Sequence, residues 1–571
     1  LEPLRRTGFD FNLNGSMIRT VISGRALQAS TARIIPALVL VIALVLLIAS
    51  TSLRQVALAL ATMGVAVLWT IGLMGWLDWP QDGIHQVLAP LILIVGVCDA
   101  VHLLSRASEH EAAPSQSILA ACRSVGPPCV VTTTTTATAL ASFATSDLDC
   151  FGRFGAIAAT GVAACLILTF SLLPLLASTR IGGSFAPSRP SPRWLSGFAA
   201  LARFASRSPR ITIAVCAHLM AIGLLGIILH LNIDTDWQQA FGENGDISRW
   251  ARFFDRARGS SDALELELDP PEGLEVHTPE ALGVVKRVSA ALEQVDGLGQ
   301  SFGLADLLDR LDRALDSTGS ARSGLELEHS AELLELLSMD DPGSLEPWIT
   351  LDRKATRVSI QADWLAQEET RSLMRRVRSV VDHHVPKEWA VRMSGMRAID
   401  DAWVTEVQTT QLRSFPTAFL FVFALSSLFL RSFRLGLIAM LPSLIAIVVT
   451  LGTMGWLGMG LDIGRAMIGA VVIGIGVDDA IHFLDAHRRH LTRGANRHEA
   501  VDLALADTGR AIITTSIALA LGFLTLMASA WQTISSFGFF VSITIVAALV
   551  ATLFLLPALL AGFGEQAGAE R

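Results

Sequence analysis

Two nine-residue stretches, 380 positions apart, decide the fold: Ile94-Val95-Gly96-Val97-Cys98-Asp99-Ala100-Val101-His102 and Gly474-Ile475-Gly476-Val477-Asp478-Asp479-Ala480-Ile481-His482. Each sets an acid, and three residues later a histidine, inside an otherwise apolar run. Apolar runs of ~20 residues are what a bilayer-spanning helix requires. Asp99, Asp478 and Asp479 are the three acids lying away from the ends of such runs. A carboxylate at that depth is costly unless it faces a bundle interior or a wet cavity. The spacings Asp99/His102, Asp479/His482 and Asp478/His482 put acid and imidazole on one helical face.

Outward from these stretches the two halves align without a gap over about ninety residues at the same shift. Gly15 meets Gly395, Pro36 meets Pro416, Arg54 meets Arg434, Met74-Gly75-Trp76-Leu77 meets Met454-Gly455-Trp456-Leu457, and Asp82 meets Asp462. Past a loop three residues longer in the second half, Gly126 meets Gly509, Phe154-Gly155 meets Phe537-Gly538, and Leu173-Pro174 meets Leu556-Pro557. Helix 211–231 and segment 232–392 precede the second half with no counterpart before the first. Residues 1–30 match the end of that segment and the run into the next helix. The repeat therefore leads us to expect an N-terminally truncated sequence, lacking roughly 180 residues upstream of Leu1. The rival expectation is a chain that lacks them naturally.

Of 571 residues, 51% are hydrophobic and 17% charged, which excludes a disordered chain, a nucleic-acid binder and an ordinary soluble enzyme. Segment 232–392 holds 31 acidic and 18 basic residues, while the rest holds 21 and 26, so the two parts are expected in different solvents. All six cysteines lie outside the acidic segment, which therefore needs no disulfides. Eleven stretches qualify as spans: 34–50, 56–77, 83–104, 127–146, 155–178, 211–231, 415–430, 435–459, 464–484, 510–530 and 537–562. Arg54, Arg106, Arg123, Arg180, Arg189, Arg193, Arg431, Arg434 and the Arg488–Arg510 loop fall on one side, which the positive-inside rule makes cytoplasmic. The acidic domain is then extracytoplasmic. The expected organisation is 1–30 as the remnant of a first outer domain, 31–180 as the first-repeat helices, and 181–210 as a cytoplasmic linker. Then come 211–231 as the first helix of the second repeat, 232–395 as the outer α+β domain, 396–563 as the second-repeat helices, and 564–571 as a tail.

Within that domain, Ala263–Leu268 alternates apolar and acidic residues as a half-exposed strand does, and 279–294 has helical periodicity. Leu304–Leu315 and Ala331–Leu337 read as amphipathic helices. Runs 347–351 and 356–362 flank Asp352-Arg353-Lys354 as in a hairpin, followed by a helix at 367–382 and a strand near 389–394. This β-α-β…β-β-α-β order suggests a split, ferredoxin-like unit with a helical insertion.

Chemically, the in-membrane acids and imidazoles suggest a proton relay of Asp99, Asp478, Asp479, His102 and His482. Removal from water favours the neutral form of a carboxyl, and imidazole titrates close to neutral pH. Asp478 and Asp479 should be coupled, with at most one charged. The alternative is a static Asp–His hydrogen bond between helices. Asp-x-x-His on two helices also suggests a metal pair, but the further carboxylates of such sites are missing, so no metal or cofactor is expected. Thr132–Thr136, facing Thr514-Thr515-Ser516 in the repeat, place hydroxyls that solvate a proton path or bind helices together. Thr132, Thr133, Thr515 and Ser516 are the candidates for relay support. Gly96, Gly474 and Gly476 read as close helix contacts. Trp76, Trp79, Trp456 and Trp531 read as interface anchors, His487 and His490 as solvated loop residues, and His383-His384 carries no recognisable signature.

The doubled architecture, the α/β domain after the first helix of a repeat, and the Gly474–His482 motif resemble the resistance–nodulation–division superfamily. Within it, the sequence is similar to the lipid-exporter branch that includes hopanoid transporters and large mycobacterial membrane proteins, kin to Patched and sterol-sensing proteins. The resemblance covers nearly the whole chain. It implies twelve helices and two porter domains in a complete member, of which this chain would hold helices two to twelve and the second porter domain. It also implies proton-driven export of a lipid-like molecule across the cytoplasmic membrane of a bacterium, with acids at Asp99 and Asp478/Asp479 exchanging protons. The proton gradient replaces a cofactor. Partners would be membrane lipids and cargo, with a second copy or a periplasmic protein as further candidates. Ile94 replaces the motif glycine and Cys98 the first acid in the first half, so the relay is expected to be asymmetric. Two rivals are a sterol-sensing-like lipid-binding regulator without transport and an accessory subunit of a protein-export machine. A hydrolase is disfavoured, because the acidic domain offers no defensible catalytic or metal spacing.

Overall fold

The computed structural model describes residues 12–13, 15–50, 52–108, 114–179, 203–232, 245–258, 262–315, 330–340, 343, 345–350, 352–362 and 367–563. Most of the expected linker (181–202), the tail 564–571 and the first eleven residues of the 1–30 stretch lie outside the described residues. In chain order the helices are α1 (Ser16–Ser50), α2 (Leu53–Trp76), α3 (Leu88–Ala107), α4 (Pro114–Ala141), α5 (Asp149–Ala177) and α6 (Pro209–His230). A mixed segment follows, with α7 (Asp246–Arg258), β1 (Asp262–Asp269), α8 (Pro279–Leu292), β2 (Leu298–Gly303), α9 (Leu304–Leu315), α10 (Ser330–Asp340), β3 (Thr356–Ala362), α11 (Gln367–His384) and β4 (Ala390–Gly395). The chain continues as α12 (Met396–Leu430), α13 (Phe433–Trp456), α14 (Ile468–Thr492), α15 (Arg497–Leu524) and α16 (Gln532–Phe563). Two compact units result, Leu1–Val21 with Asp234–Thr405, and Ile22–Ile233 with Glu406–Arg571.

In the helical unit the repeat is written in element lengths. α1 and α12 have 35 residues each, α2 and α13 have 24, and α4 and α15 have 28. Even the turn after the second helix of each set repeats. Asp78 (φ 54°) and Gly458 (φ 65°), which the shift of 380 superposes, both take the left-handed conformation. That conformation is free for glycine and tolerated by Asp.

Ten helices among the described residues are long and apolar enough to cross a membrane, against the eleven stretches expected. The difference is α4, which is long enough at 28 residues but carries Thr132–Thr136 and a polar first half. Most of its hydroxyls return their hydrogen bonds to its own backbone: Thr134 donates to Val130 at 2.6 Å, and Thr135 to Thr132 at 2.7 Å. A helix can satisfy threonine internally in this way, so low hydropathy does not prevent α4 from packing against α3, α5 and α14.

The α+β unit is built on one four-stranded sheet, ordered β2-β3-β1-β4, in which β1–β3, β1–β4 and β2–β3 are all antiparallel. β1 lies centrally because its alternation supplies both faces. Leu264, Leu266 and Leu268 are fully buried in the core with Val358, Ile360, Val285, Val288 and Val377. On the other face Glu265 meets Arg357 at 2.9 Å, and Glu267 meets Arg392 at 2.6 Å. The Arg392 guanidinium holds the Glu267 carboxyl below the usual carboxylate range. A depressed carboxyl stabilises the fold at neutral pH, and that small contribution fades as pH falls through its folded pKa.

α8 starts where Thr278 accepts a hydrogen bond from the Ala281 amide at 3.3 Å, with proline at the first helical position. Thr278→Ala is expected to lower stability by about 1 kcal/mol, the usual worth of an N-cap. Urea titration followed by circular dichroism checks this, and an unchanged midpoint contradicts it. One expected strand does not form. Among the described residues of 347–350, a single bridge forms, Ile349 to Thr356, because Leu345–Ile349 closes a helical turn instead. The turn itself is present, with Arg353 in the left-handed region (φ 56°) and Thr350 donating to Asp352 at 2.7 Å.

Candidate functional site

The acid-bearing helices α3 and α14 are the most enclosed elements of the helical unit. Each packs on the next helix of its own repeat, α4 or α15, and on the corresponding helix of the other repeat. Four helices thus converge, and their Asp-x-x-His faces meet. The rings of His102 and His482 stack with centroids 4.1 Å apart and planes within 9°. Asp99, His102, Asp479 and His482 are all buried.

Each repeat dresses its acid in the same way. Thr133 on α4 donates to Asp99 Oδ2 at 2.9 Å, and Ser516 on α15 donates to Asp479 Oδ2 at 2.5 Å. Thr133 and Ser516 are superposed by the shift of 383 that aligns the second part of the repeat. Thr515 adds a longer bond to Asp479 Oδ1 at 3.3 Å. Its repeat partner, Thr132, donates to the Cys129 carbonyl at 3.1 Å and lies beside Asp478. Asp478 has no acidic counterpart, and its Oδ1 lies 3.3 Å from Nε2 of His482. That is an ion-pair distance, although neither atom has hydrogen-bond geometry to a partner. His102 Nε2 is likewise buried without a hydrogen bond. The candidate relay groups and three of their four candidate hydroxyls therefore gather at one place, and the fourth, Thr132, borders it.

Chemically, the cluster holds three carboxyls and two imidazoles at distances where protons and charges are felt mutually. Two imidazolium ions stacked this closely would repel by about 4 kcal/mol at an effective dielectric of 20. The stack therefore favours one charge at a time.

The glycines play different parts. A Cβ on Gly474 would lie 2.9 Å from Cβ of Ala139 and 3.1 Å from the Thr136 backbone, so α4 and α14 touch there. Thr136 reinforces the crossing by donating to the Gly474 carbonyl at 2.8 Å. In the other repeat the same crossing is filled the opposite way. Ile94 stands where Gly474 would be, and a Cβ on Gly522, the counterpart of Ala139, would lie 2.8 Å from Ile94. The glycine missing from the first motif is thus supplied by the facing helix. A Cβ on Gly96 would meet the side chains of Met63 and Cys165, and one on Gly476 would meet Ser443. Gly474→Ala is expected to cost about 1–3 kcal/mol through overpacking. Adding Ala139→Gly should recover part of that loss. Thermal unfolding of the purified protein reads both, and an unaltered midpoint in Gly474→Ala argues against the contact.

Three sequence expectations change. Trp531 is buried rather than interfacial, because its ring covers Gly83, where any Cβ would collide with it. His487 is buried because α14 continues eight residues past the expected end at 484, keeping it on the packed side of the helix. His490 pairs with Asp507 at 2.9 Å. Sequence reasoning missed Cys129, which is buried beside Asp99; its repeat position holds Ile512, so the repeat gave no signal. Among the described residues, no three His, Cys, Asp or Glu side chains converge as a metal site.

A model of the MMPL family matches residues 7–212 and 282–571. Membrane protein MJ1562 of Methanocaldococcus jannaschii is 32% identical over 125 residues, covering 22% of this chain and 32% of that protein. ActII-3, a membrane protein of Streptomyces coelicolor, is 32% identical over 109 residues, covering 19% of this chain and 15% of its own length. The matched segments thus span a third or less of these relatives. Among solved structures, the hedgehog release protein Disp from the water bear Hypsibius dujardini matches with a TM-score of 0.66 at 12% identity, over 95% of this chain and 71% of that one. At that identity the likeness concerns the fold.

Proposed function

The chain belongs to the MMPL family, and on that premise we propose that it is a proton-coupled transporter that exports a hydrophobic or amphipathic, lipid-like molecule from the cytoplasmic membrane of a bacterium. The observation that carries this is the stacked His102–His482 pair, flanked by Asp99 and Asp479 with repeat-related hydroxyl donors and joined on one side by Asp478. A static Asp–His tie between helices would need neither three acids nor buried imidazole nitrogens without hydrogen bonds. A relay makes use of both, because a proton must find an acceptor not already occupied.

In this mechanism a proton entering the cluster neutralises one carboxyl and releases its hold on the hydroxyl of α4 or α15. The second repeat carries the Asp478–His482 pair, and the first repeat answers through His102. Because the stack favours one charge at a time, the two halves of the bundle take alternate charge states. Those states bias packed helices between two arrangements. Residues 232–395 act on the extracytoplasmic side as the porter domain that follows these arrangements.

The test is proton flux into proteoliposomes holding the purified chain, read by a lumenal pH dye under an imposed gradient, with total membrane lipid extract in the bilayer. Flux above that of empty liposomes is expected. Flux equal to empty liposomes sinks the proposal in favour of the lipid-sensing regulator. Constant co-purification with a protein translocase would favour the accessory-subunit role instead.

A further inference from the structure

Buried imidazoles outside the relay stand on either side of it, each set tied to a carboxylate that reaches solvent. His85 lies in the turn before α3, fourteen residues and about 20 Å of helix ahead of Asp99. Its Nδ1 is 2.8 Å from Oδ1 of Asp82, whose side chain is 40% exposed while the imidazole is buried. A carboxylate there accepts the Nδ1–H bond, which leaves Nε2 as the basic nitrogen of the ring. That nitrogen is buried and has no hydrogen-bond partner. On the other side, His490 lies eight residues, about 12 Å, past His482 on α14. Its Nε2 is 2.9 Å from Oδ2 of Asp507 on α15, again 40% exposed. His487, one turn earlier on α14, lies beside His490, and its Nε2 is also buried without a hydrogen bond.

Neither set is repeated. The shift of 380 carries Asp82 and His85 onto Asp462 and Arg465, whose Nε lies 3.5 Å from Asp462 Oδ2. The fold thus accepts either histidine or arginine beside this acid, but arginine stays protonated and cannot pass a proton on. Asp462 is also enclosed, with its side chain 13% exposed. At the far end the first repeat keeps a histidine, His110, in place of His490, but has Ala107 for His487 and Ser124 for Asp507. Groups able to exchange protons therefore mark the start of α3 in one repeat and the end of α14 in the other. Between them the repeats touch through the stacked rings of His102 and His482.

We propose that protons enter at Asp82–His85 and leave through His487, His490 and Asp507, crossing from the first repeat to the second at the His102–His482 stack. This rests on the proton-coupled reading above, in whose orientation α3 starts on the extracytoplasmic side and α14 ends on the cytoplasmic side. Each imidazole gains one proton and loses one. Asp82 takes a proton from water, the pair becomes imidazolium beside carboxylate, and the ring then gives up the Nε2 proton toward Asp99. At the exit, His487 takes a proton from the cluster and His490 hands it to the Asp507 carboxylate, which returns it to water. Water carries the proton over the lengths of helix between these groups. Arg465 closes the equivalent entrance of the second repeat.

The test is proton flux into proteoliposomes holding the full chain, read by the lumenal dye, in variants whose melting profiles match the native one. The two ends act in series, so either orientation of the chain in the liposome reports on both. His85→Arg copies the Asp462–Arg465 pair and leaves Asp82 a cation, while His490→Gln and Asp507→Asn interrupt the far end. Each is expected to lower flux at least about tenfold, whereas Arg465→Lys should conduct as the native chain does. His85→Gly adds a readout that a packing role would not give. Millimolar imidazole should restore its flux; pyrazole, of the same shape but far too weak a base to take up a proton at neutral pH, should not. Rescue by both rings makes His85 a plug and overturns the proposal, as does an equal loss of flux in Arg465→Lys. Should the glycine variant not fold, His85→Arg still decides. Native flux in His85→Arg while Asp479→Asn conducts nothing overturns this route and leaves the relay standing. Native protein that conducts no better than empty liposomes overturns the transport reading, and the route falls with it.

Discussion

Asp479→Asn is expected to lower proton flux in proteoliposomes by at least about 100-fold, the scale of losing a positioned proton-transfer group. Asparagine keeps the shape of aspartate and an oxygen that can accept from Ser516, so the α14–α15 contact survives. What it loses is the ability to gain and release a proton. Asp99→Asn should behave likewise, because Thr133 holds Asp99 as Ser516 holds Asp479. A phenylalanine at 482 sharpens the test. It preserves a flat ring 4.1 Å from His102 but carries no proton, and it leaves Asp478 without its 3.3 Å neighbour. If His482→Phe also stops flux while the melting profile is kept, the imidazole conducts. If flux persists in His482→Phe but not in Asp479→Asn, protons pass through the carboxyls without the His482 imidazole. Native flux in Asp479→Asn would reduce the cluster to a structural tie.

Much of this arrangement was legible in the sequence because the repeat is a physical constraint. Two halves that fold alike must place Asp99 and Asp479 at equivalent depths, and their neighbours Thr133 and Ser516 fall into register with them. What periodicity cannot reveal is how the halves face each other. The stacking of His102 on His482 arises across the pseudo-symmetric crossing, between residues 380 positions apart with no spacing rule to join them. The exchange of partners at Gly474/Ala139 and Ile94/Gly522 was hidden for the same reason. Read alone, Ile94 is a departure from the motif; opposite Gly522 it is a close contact in which the glycine has moved to the facing helix. Errors of the other kind came from reading single residues against an assumed boundary. Position near expected helix ends points Trp531 to the interface and His487 to a solvated loop, yet packing against Gly83 and the extra length of α14 bury them. The strand expected at 347–351 failed because β-type composition does not prevent a helical turn when its neighbours leave only one bridge to make.

The missing acid of the first repeat is the place where the symmetry is most informative. Cys98→Asp is expected to destabilise the protein by about 3–5 kcal/mol, the scale of a buried charge without compensation. Cys98 is buried, and its thiol points to the Ile94 carbonyl of its own helix. An aspartate there would stand to His102 as Asp478 stands to His482, four residues ahead on the same face. Satisfying both acids would call for two imidazolium rings, and the stack disfavours two charges at 4.1 Å. Asymmetry is then a requirement of the stacked pair: one repeat may carry a second acid only if the other does not. This makes the two positions coupled rather than additive. Asp478→Cys added to Cys98→Asp should restore most of the lost stability, since it moves the lone pair from one repeat to the other, whereas Cys98→Asn, uncharged and of similar size, should need no such rescue. Intrinsic tryptophan fluorescence during thermal unfolding reads all three variants. Native stability in Cys98→Asp would mean that the cluster is wet enough to hold four acids, and the single-charge account of the stack would fall with it.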